Sequence, residues 1–107
     1  MVNEEIRGII KNFIEAVKKE GICLQKVFLY GSYSRGEERK YSDIDVALVS
    51  RDFEEDTIEA NMRLLRIAVR VDVRLAPLAI AQSELANLHI PIIAEAQKGV
   101  DMTTLAN

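Results

Sequence analysis

The chain has 107 residues, 49% of them hydrophobic and 29% charged, with a formal net charge of −3 at pH 7. This length fits one domain over residues 1–107, and the hydrophobic share argues against wholesale disorder. The negative charge argues against a surface that binds nucleic acid throughout, so nucleic acid is not an expected partner. A single cysteine excludes an internal disulfide and favours a cytoplasmic location. No apolar run reaches the ~18 residues of a membrane span, so neither a membrane nor a signal peptide is expected.

Six apolar residues at helical spacing predict a first helix, with Asn3 as its cap and Gly21 as its end. They are Ile6, Ile9, Ile10, Phe13, Ile14 and Val17. A short strand is expected over 26–30, where β-branched and aromatic residues are frequent, and Gly31 ends it. One helical turn, a charged loop and a second strand are expected next, over 32–36, 37–42 and 44–49 respectively.

The second half of the chain begins with a predicted helix over 57–69, which has four apolar residues at helical spacing. They are Ile58, Met62, Leu65 and Val69. A third strand is predicted over 71–78, with Asp72 and Arg74 on one face, and Pro77 marks its end or a sheet edge. A short helix over 82–88, a helix over 91–98 and a last strand over 100–103 complete the prediction.

Asp43 and Asp45 stand one residue apart where the second strand is expected to begin. Residues i and i+2 of a strand share a face, and two carboxylates so close repel each other unless a cation lies between them. Mg²⁺ prefers oxygen ligands of this kind. If the third strand pairs beside the second in the right register, Asp72 completes a set able to hold two metal ions ~3.5–4 Å apart. The alternatives are a solvated strand face for the first two aspartates and a simple ion pair with Arg74 for Asp72.

Gly31 and Ser32 lie between a predicted strand and a predicted helical turn. Such a pair can hold phosphate, because glycine lets the backbone approach closely and the N–H groups at a helix start attract anions. Taken alone, however, Gly-Ser is more typical of an ordinary turn with an N-cap.

Together these residues form a more specific pattern: Gly31-Ser32, ten residues that include Arg35-Gly36, and then Asp43-x-Asp45. This pattern resembles the nucleotidyltransferase superfamily of DNA polymerase β. Its length and motif are most similar to the small prokaryotic branch, the minimal nucleotidyltransferases, which are often encoded beside a HEPN-domain protein. The resemblance implies an α/β fold of the α+β type, with a small mixed β-sheet flanked by helices.

The resemblance also implies a role for each residue of the motif. Gly31 and Ser32 would hold the β- and γ-phosphates of a nucleoside triphosphate, and Arg35 would orient the loop or pair with a carboxylate. Asp43 and Asp45 would bind Mg²⁺.

The third carboxylate implied by the resemblance is Asp72, which would bind a second Mg²⁺ ion and help to activate the attacking hydroxyl. The implied reaction moves AMP from ATP to a hydroxyl, that of a tyrosine on a partner HEPN toxin, so the chain would act as an antitoxin. Because the helical domain with which larger relatives hold the acceptor has no counterpart here, a homo- or hetero-oligomer is expected. The alternatives are a non-catalytic module that masks or scaffolds a partner, and transfer to a small molecule.

Three arginines, Arg63, Arg66 and Arg70, follow one another at helical spacing on the second long helix. They are interpreted either as a solvated face with local ion pairs or as a docking surface for an acidic partner or RNA.

Overall fold

The computed structural model describes residues 2–107, in which helices and strands alternate from the first helix onward. The elements are α1 (Glu4–Lys19), β1 (Lys26–Tyr30), α2 (Ser32–Arg35), β2 (Ile44–Ser50), α3 (Thr57–Val71), β3 (Leu75–Ala81), α4 (Pro91–Gln97) and β4 (Val100–Asp101). Short 3₁₀ turns cover Arg51–Phe53, Gln82–Glu84 and Thr103–Ala106.

The four strands form one mixed sheet in the order β3-β2-β1-β4. The β1 strand runs antiparallel to both β2 and β4, whereas β2 and β3 are parallel and are joined through α3. Helices cover both faces of this sheet, so the predicted fold class, a small mixed sheet flanked by helices, is confirmed.

The first helix follows its sequence signals closely. The Asn3 side chain accepts a hydrogen bond from the Ile6 N–H at 3.1 Å, which satisfies one of the donors left open at a helix start. Glu4 and Glu5 lie in the first turn and Lys18 and Lys19 in the last, as the helix dipole favours.

The side chains of the central strands divide the interior into two apolar clusters, one on each face of the sheet. On one face, Val46 and Leu48 of β2 pack with residues of α1 and α3. On the other face, Ala47 and Val49 pack with Phe28, Tyr30 and part of α4. This division fixes which face each polar residue of β2 occupies, because side chains alternate along a strand.

The third strand starts later than the sequence predicted. The α3 helix continues to Val71, the Asp72 N–H donates to the Ala68 carbonyl at 2.9 Å, and β3 begins only at Leu75. The prediction that Asp72 lies in a strand is therefore wrong, because helical hydrogen bonding extends to this residue. Pro77 does lie in an edge strand, as predicted.

The region after β3 is also less regular than predicted. A single 3₁₀ turn replaces the expected helix over 82–88, and most of its neighbouring residues are exposed, so no buried face supports a longer helix. Within the described residues, no helix combines the length and the apolar character needed to cross a membrane.

Candidate functional site

The candidate site lies where β1 ends and β2 begins, at one corner of the sheet. Tyr30, the last residue of β1, pairs with Asp45, the second residue of β2. Asp43 precedes β2 and is exposed, whereas Asp45 is partly buried. Asp45 alternates with Ile44 and Val46, so it occupies the face of the sheet on which Ala47 packs near α4.

Gly31 brings the backbone at the start of α2 directly against the Asp45 carboxylate. A Cβ atom built on Gly31 would lie 2.1 Å from Asp45 Oδ2, so any side chain at position 31 would force the Asp45 carboxylate to move. Gly31 also has a φ of 74°, a conformation that glycine adopts without steric cost. The glycine of the motif is thus required twice, by its backbone angle and by the carboxylate beside it.

Ser32 is the first residue of α2 and is partly exposed at the same corner. The next turn is held by Ser34, whose hydroxyl donates to the Gly31 carbonyl at 2.7 Å. The predicted helical turn after Gly31 is therefore present, and Gly36 ends it with a φ of 68°.

The electrostatics of the corner disfavour its negative charges. Burial, followed by the neighbouring carboxylates of Asp43 and Glu95, raises the pKa of Asp45, and Arg35 partly offsets the effect. Burial, Asp45 and Glu95 together raise the pKa of the Tyr30 hydroxyl to about 12. A carboxylate pair in such a setting gains stability from a cation placed between its members.

Arg35, the last residue of α2, connects the corner to α4. Its guanidinium pairs with Glu37, and its Nη1 lies 3.6 Å from Glu95 Oε1. The side chains of Arg35 and Glu95 are both about half exposed, so the contact between them is weak and easily exchanged for another anion.

A cavity of about 480 Å³ opens between α2 and α4 beside this corner, within the size range of small-molecule sites. Gly31 and Arg35 form one wall, while Glu95 of α4 and Lys98, which follows α4 directly, form another. The cavity therefore places two basic groups, Arg35 and Lys98, on its walls beside Gly31.

Asp72 does not join this group. Its carboxylate accepts from the Arg74 N–H at 2.9 Å and from the Arg74 guanidinium at 3.1 Å and 3.0 Å, and Arg74 also lies 3.9 Å from Glu5 of α1. These hydrogen bonds lower the pKa of Asp72. In the structure, Asp72 therefore forms the ion pair with Arg74 that the sequence analysis gave as the alternative to metal binding.

The strand position beside Asp45 belongs to Ala76. In the parallel pairing of β2 and β3, Ile44 lies beside Leu75, Asp45 beside Ala76 and Ala47 beside Leu78. The position on β3 directly beside Asp45 is therefore 76, four residues after Asp72.

The donor set at the corner suits one divalent cation better than two. Two carboxylates together with substrate phosphate oxygens are a typical environment for Mg²⁺. Across residues 2–107, no group of three acidic, histidine or cysteine side chains lies close enough to hold a metal ion. Asp43 and Asp45 thus fit one ion, and a site for a second ion has no third protein ligand here.

Two residues near the site were not predicted from the sequence. Glu95 and Lys98 reach the corner through the packing of α4 on the sheet, and no motif marks them. The glycine at position 99 is needed for this packing, since a Cβ atom on Gly99 would lie 2.1 Å from the Leu29 carbonyl oxygen of β1.

Comparison with known proteins agrees with this geometry. Residues 10–100 match a family model described as "Nucleotidyltransferase domain". A Methanocaldococcus jannaschii protein named "Putative protein adenylyltransferase" is 33% identical over 73 residues, which cover 65% of this chain and 70% of the relative.

Solved structures give further matches. A crystal structure described as a "putative nucleotidyltransferase" from Sulfolobus solfataricus has a TM-score of 0.60 at 21% identity, over 75% of this chain and 70% of that one, a likeness of fold alone. A structure described as "the toxin-antitoxin with AMP-PNP" is 30% identical over 64% of this chain and 56% of that one, with a TM-score of only 0.47.

Proposed function

The chain belongs to the nucleotidyltransferase domain family, and we propose that it transfers AMP from ATP, in the presence of Mg²⁺, to a hydroxyl on a partner protein. Enzymes of this class use a nucleoside triphosphate and a divalent metal in general. The observation that supports the proposal most directly is the Asp45 carboxylate lying against Gly31, with Asp43 beside it.

The chemistry needs positioning and charge stabilisation rather than a protein nucleophile. The acceptor oxygen attacks the α-phosphorus, pyrophosphate leaves, and the proton of the hydroxyl passes to solvent. Asp43 and Asp45 would hold Mg²⁺, which when bound neutralises charge on the phosphate oxygens. The backbone at Gly31 and Ser32 would receive the phosphate tail, because no side chain of Gly31 blocks the approach.

The cavity between α2 and α4 would hold part of the nucleotide. Arg35 and Lys98 line it, and both carry charge suited to phosphate. The weak contact of Arg35 with Glu95 leaves its guanidinium able to turn toward a triphosphate.

The proposed acceptor is a tyrosine of a HEPN-domain toxin, which would make the chain an antitoxin of the cytoplasm. This part of the proposal is supported by the resemblance of the Gly-Ser and Asp-x-Asp motif to the minimal nucleotidyltransferases. The relative whose name includes protein adenylyltransferase is consistent with a protein acceptor.

The experiment incubates the purified chain with α-labelled ATP, Mg²⁺ and the product of the neighbouring gene. We expect label to reach a tyrosine of that product, and we expect Asp43→Ala to abolish the transfer. Glu38→Ala, an exposed acidic residue in the loop before Asp43, is the matched control and should leave the transfer intact. Transfer by Asp43→Ala at the rate of the unmodified chain would overturn the proposal.

A second candidate is a module that masks its partner without transferring anything. Ala76 favours it, because the strand position beside Asp45 carries no carboxylate to complete a larger metal site. The double variant Asp43→Asn/Asp45→Asn separates the two candidates. If it still inhibits the partner fully, masking explains the inhibition, and if inhibition is lost together with label transfer, the enzyme does.

A further inference from the structure

The outward face of α3 carries a continuous apolar stripe that the rest of the chain leaves uncovered. Ile58, Met62, Leu65 and Val69 are 76%, 53%, 51% and 52% exposed, and Val73, just beyond the helix, is 83% exposed. We call Ile58, Met62, Leu65 and Val69 the α3 stripe. Contiguous apolar surface of this kind is uncommon on a monomer and marks an interaction site.

The α3 stripe is separate from the face by which α3 joins the core. The buried residues of the helix are Ala60, Leu64, Ile67 and Ala68. These residues pack in the cluster that contains α1, on the opposite face of the sheet from Asp45. A partner on the stripe would therefore leave the candidate site open.

The spacing of the stripe identifies the shape of its partner. Its residues follow one another at intervals of four, three and four, the alternation by which one helix presents a narrow seam to another. A flat or strand-like partner would match a wider surface, whereas this seam, along a 15-residue helix, fits one antiparallel or parallel helix.

Charges beside the stripe distinguish a second copy of the chain from an unrelated helix. Glu59 and Arg66 flank the same side of the stripe, seven residues apart, and their side chains are 59% and 54% exposed. Acidic Asp56 and Glu59 lie near the start of α3, while Arg66 and Arg70 lie toward its end. An antiparallel copy would place Glu59 of each chain beside Arg66 of the other, and the helix dipoles would also oppose each other favourably.

We propose that two copies of this chain associate through the α3 stripe, with their α3 helices antiparallel about a twofold axis. The self-complementary order of charge meets the requirement of a twofold interface that one patch contact itself. Within one chain, Arg66 Nη2 lies 3.2 Å from Glu59 Oε1, an exposed pair that can exchange for the pair between chains at little cost. A single helix pair buries less than the ~800 Å² per partner of a standard interface, so the dimer should dissociate in the micromolar range.

The first test measures the molar mass of the purified full chain by sedimentation equilibrium from about 1 µM to about 200 µM. We expect a reversible monomer–dimer equilibrium. Leu65→Glu should raise the dissociation constant at least ~10-fold while the circular dichroism spectrum stays unchanged, because Leu65 is already half exposed. Leu88→Glu is the matched control, since Leu88 is 60% exposed outside the stripe, and it should dimerise as the unmodified chain does.

The second test determines the orientation of the two helices. Glu59→Arg alone and Arg66→Glu alone should each dimerise weakly, because like charges then face each other across the axis. An equal mixture of the two variants should form a heterodimer at least as tight as the unmodified dimer. A mixture that gains nothing would overturn the antiparallel arrangement.

Two other outcomes would overturn the association of two copies. One is a chain that stays monomeric throughout the concentration range, including the case in which the stripe instead binds a helix of a different protein. The other is a dimer that Leu65→Glu leaves unchanged.

Discussion

The starts of β2 and β3 are neighbours in the sheet, with Asp45 beside Ala76. An apolar-acidic-apolar triplet opens β2, at residues 44–46, and a similar triplet lies just before β3, at residues 71–73. At β2 the acidic residue enters the strand and meets Gly31. At β3 the acidic residue, Asp72, is still at the end of α3 and binds Arg74. Similar sequence patterns thus produce a candidate metal site at one strand and an ion pair at the other, because the preceding element ends at a different point.

The largest expected difference between Asp45 and Asp72 is in transfer activity. Asp45→Asn should reduce label transfer by about 10²–10³-fold, the usual effect of losing one group that stabilises developing charge. Asp72→Asn should stay within about 3-fold of the unmodified chain, because Asp72 lies outside the corner. Single-turnover transfer from labelled ATP measures both. A comparable loss in Asp72→Asn would show that Asp72 takes part in the reaction after all.

A second prediction concerns Gly31, the glycine that lies against Asp45 at the start of β2. Gly31→Ala should destabilise the chain by about 2–4 kcal/mol, because it combines an unfavourable φ with a clash against Asp45. Gly21→Ala is the matched control, since Gly21 has a φ of 86° but open space around it, and it should cost only about 1–2 kcal/mol.

Urea unfolding measures these differences in the free energy of unfolding. Adding Asp45→Ala to Gly31→Ala should recover part of the loss, because the clashing carboxylate is then absent. Strict additivity of the two changes would contradict the close contact between Gly31 and Asp45.

The sequence predicted the parts of the molecule that depend on local signals. The cap at Asn3, the strand Lys26–Tyr30 and the turn after Gly31 were all predicted and are all present. Local signals are sufficient there because caps, β-branched runs and glycine act over a few residues.

Other features could not be predicted, because they depend on packing between distant segments. The end of α3 competes with the start of β3 over residues 70–74, where charged and apolar residues alternate as in a strand although helical hydrogen bonding continues to Asp72, so periodicity alone gives the wrong element. The α3 stripe has the helical spacing of a core face, yet the structure buries a different set of α3 residues at the same kind of spacing, Ala60, Leu64, Ile67 and Ala68. Glu95 reaches Arg35 only once α4 has docked.

A third prediction concerns a variant that places an aspartate in β3 beside Asp45. Ala76→Asp should place a carboxylate beside Asp45, lower the thermal midpoint in EDTA through repulsion, and raise the apparent affinity for Mg²⁺ about 10-fold. Thermal unfolding over a Mg²⁺ titration measures both effects. Ala86→Asp, in the exposed turn after β3, is the control and should leave the Mg²⁺ dependence unchanged. An Ala76→Asp chain without a gain in Mg²⁺ affinity would mean that position 76 does not face the carboxylate pair.

The smallest expected effect is on stability, where removing the charge of Asp45 and removing the charge of Asp72 should act in opposite directions. Because the folded chain raises the pKa of Asp45, its contribution to stability is present at low pH and is lost as pH rises, so Asp45→Asn should be more stable than the unmodified chain at pH 7. The pKa of Asp72 is lowered, so its contribution is present at neutral pH and is lost as pH falls, and Asp72→Asn should be less stable at pH 7. Each difference should amount to a few °C in the thermal midpoint and should vanish well below the ordinary aspartate pKa of about 3.9, where the folded and unfolded chains are both protonated. Circular dichroism melts in EDTA from about pH 3 to about pH 8 measure the difference in thermal midpoint between each variant and the unmodified chain. We expect this difference to be positive for Asp45→Asn and negative for Asp72→Asn at neutral pH. Differences of the same sign would mean that the two carboxylates do not lie in contrasting environments.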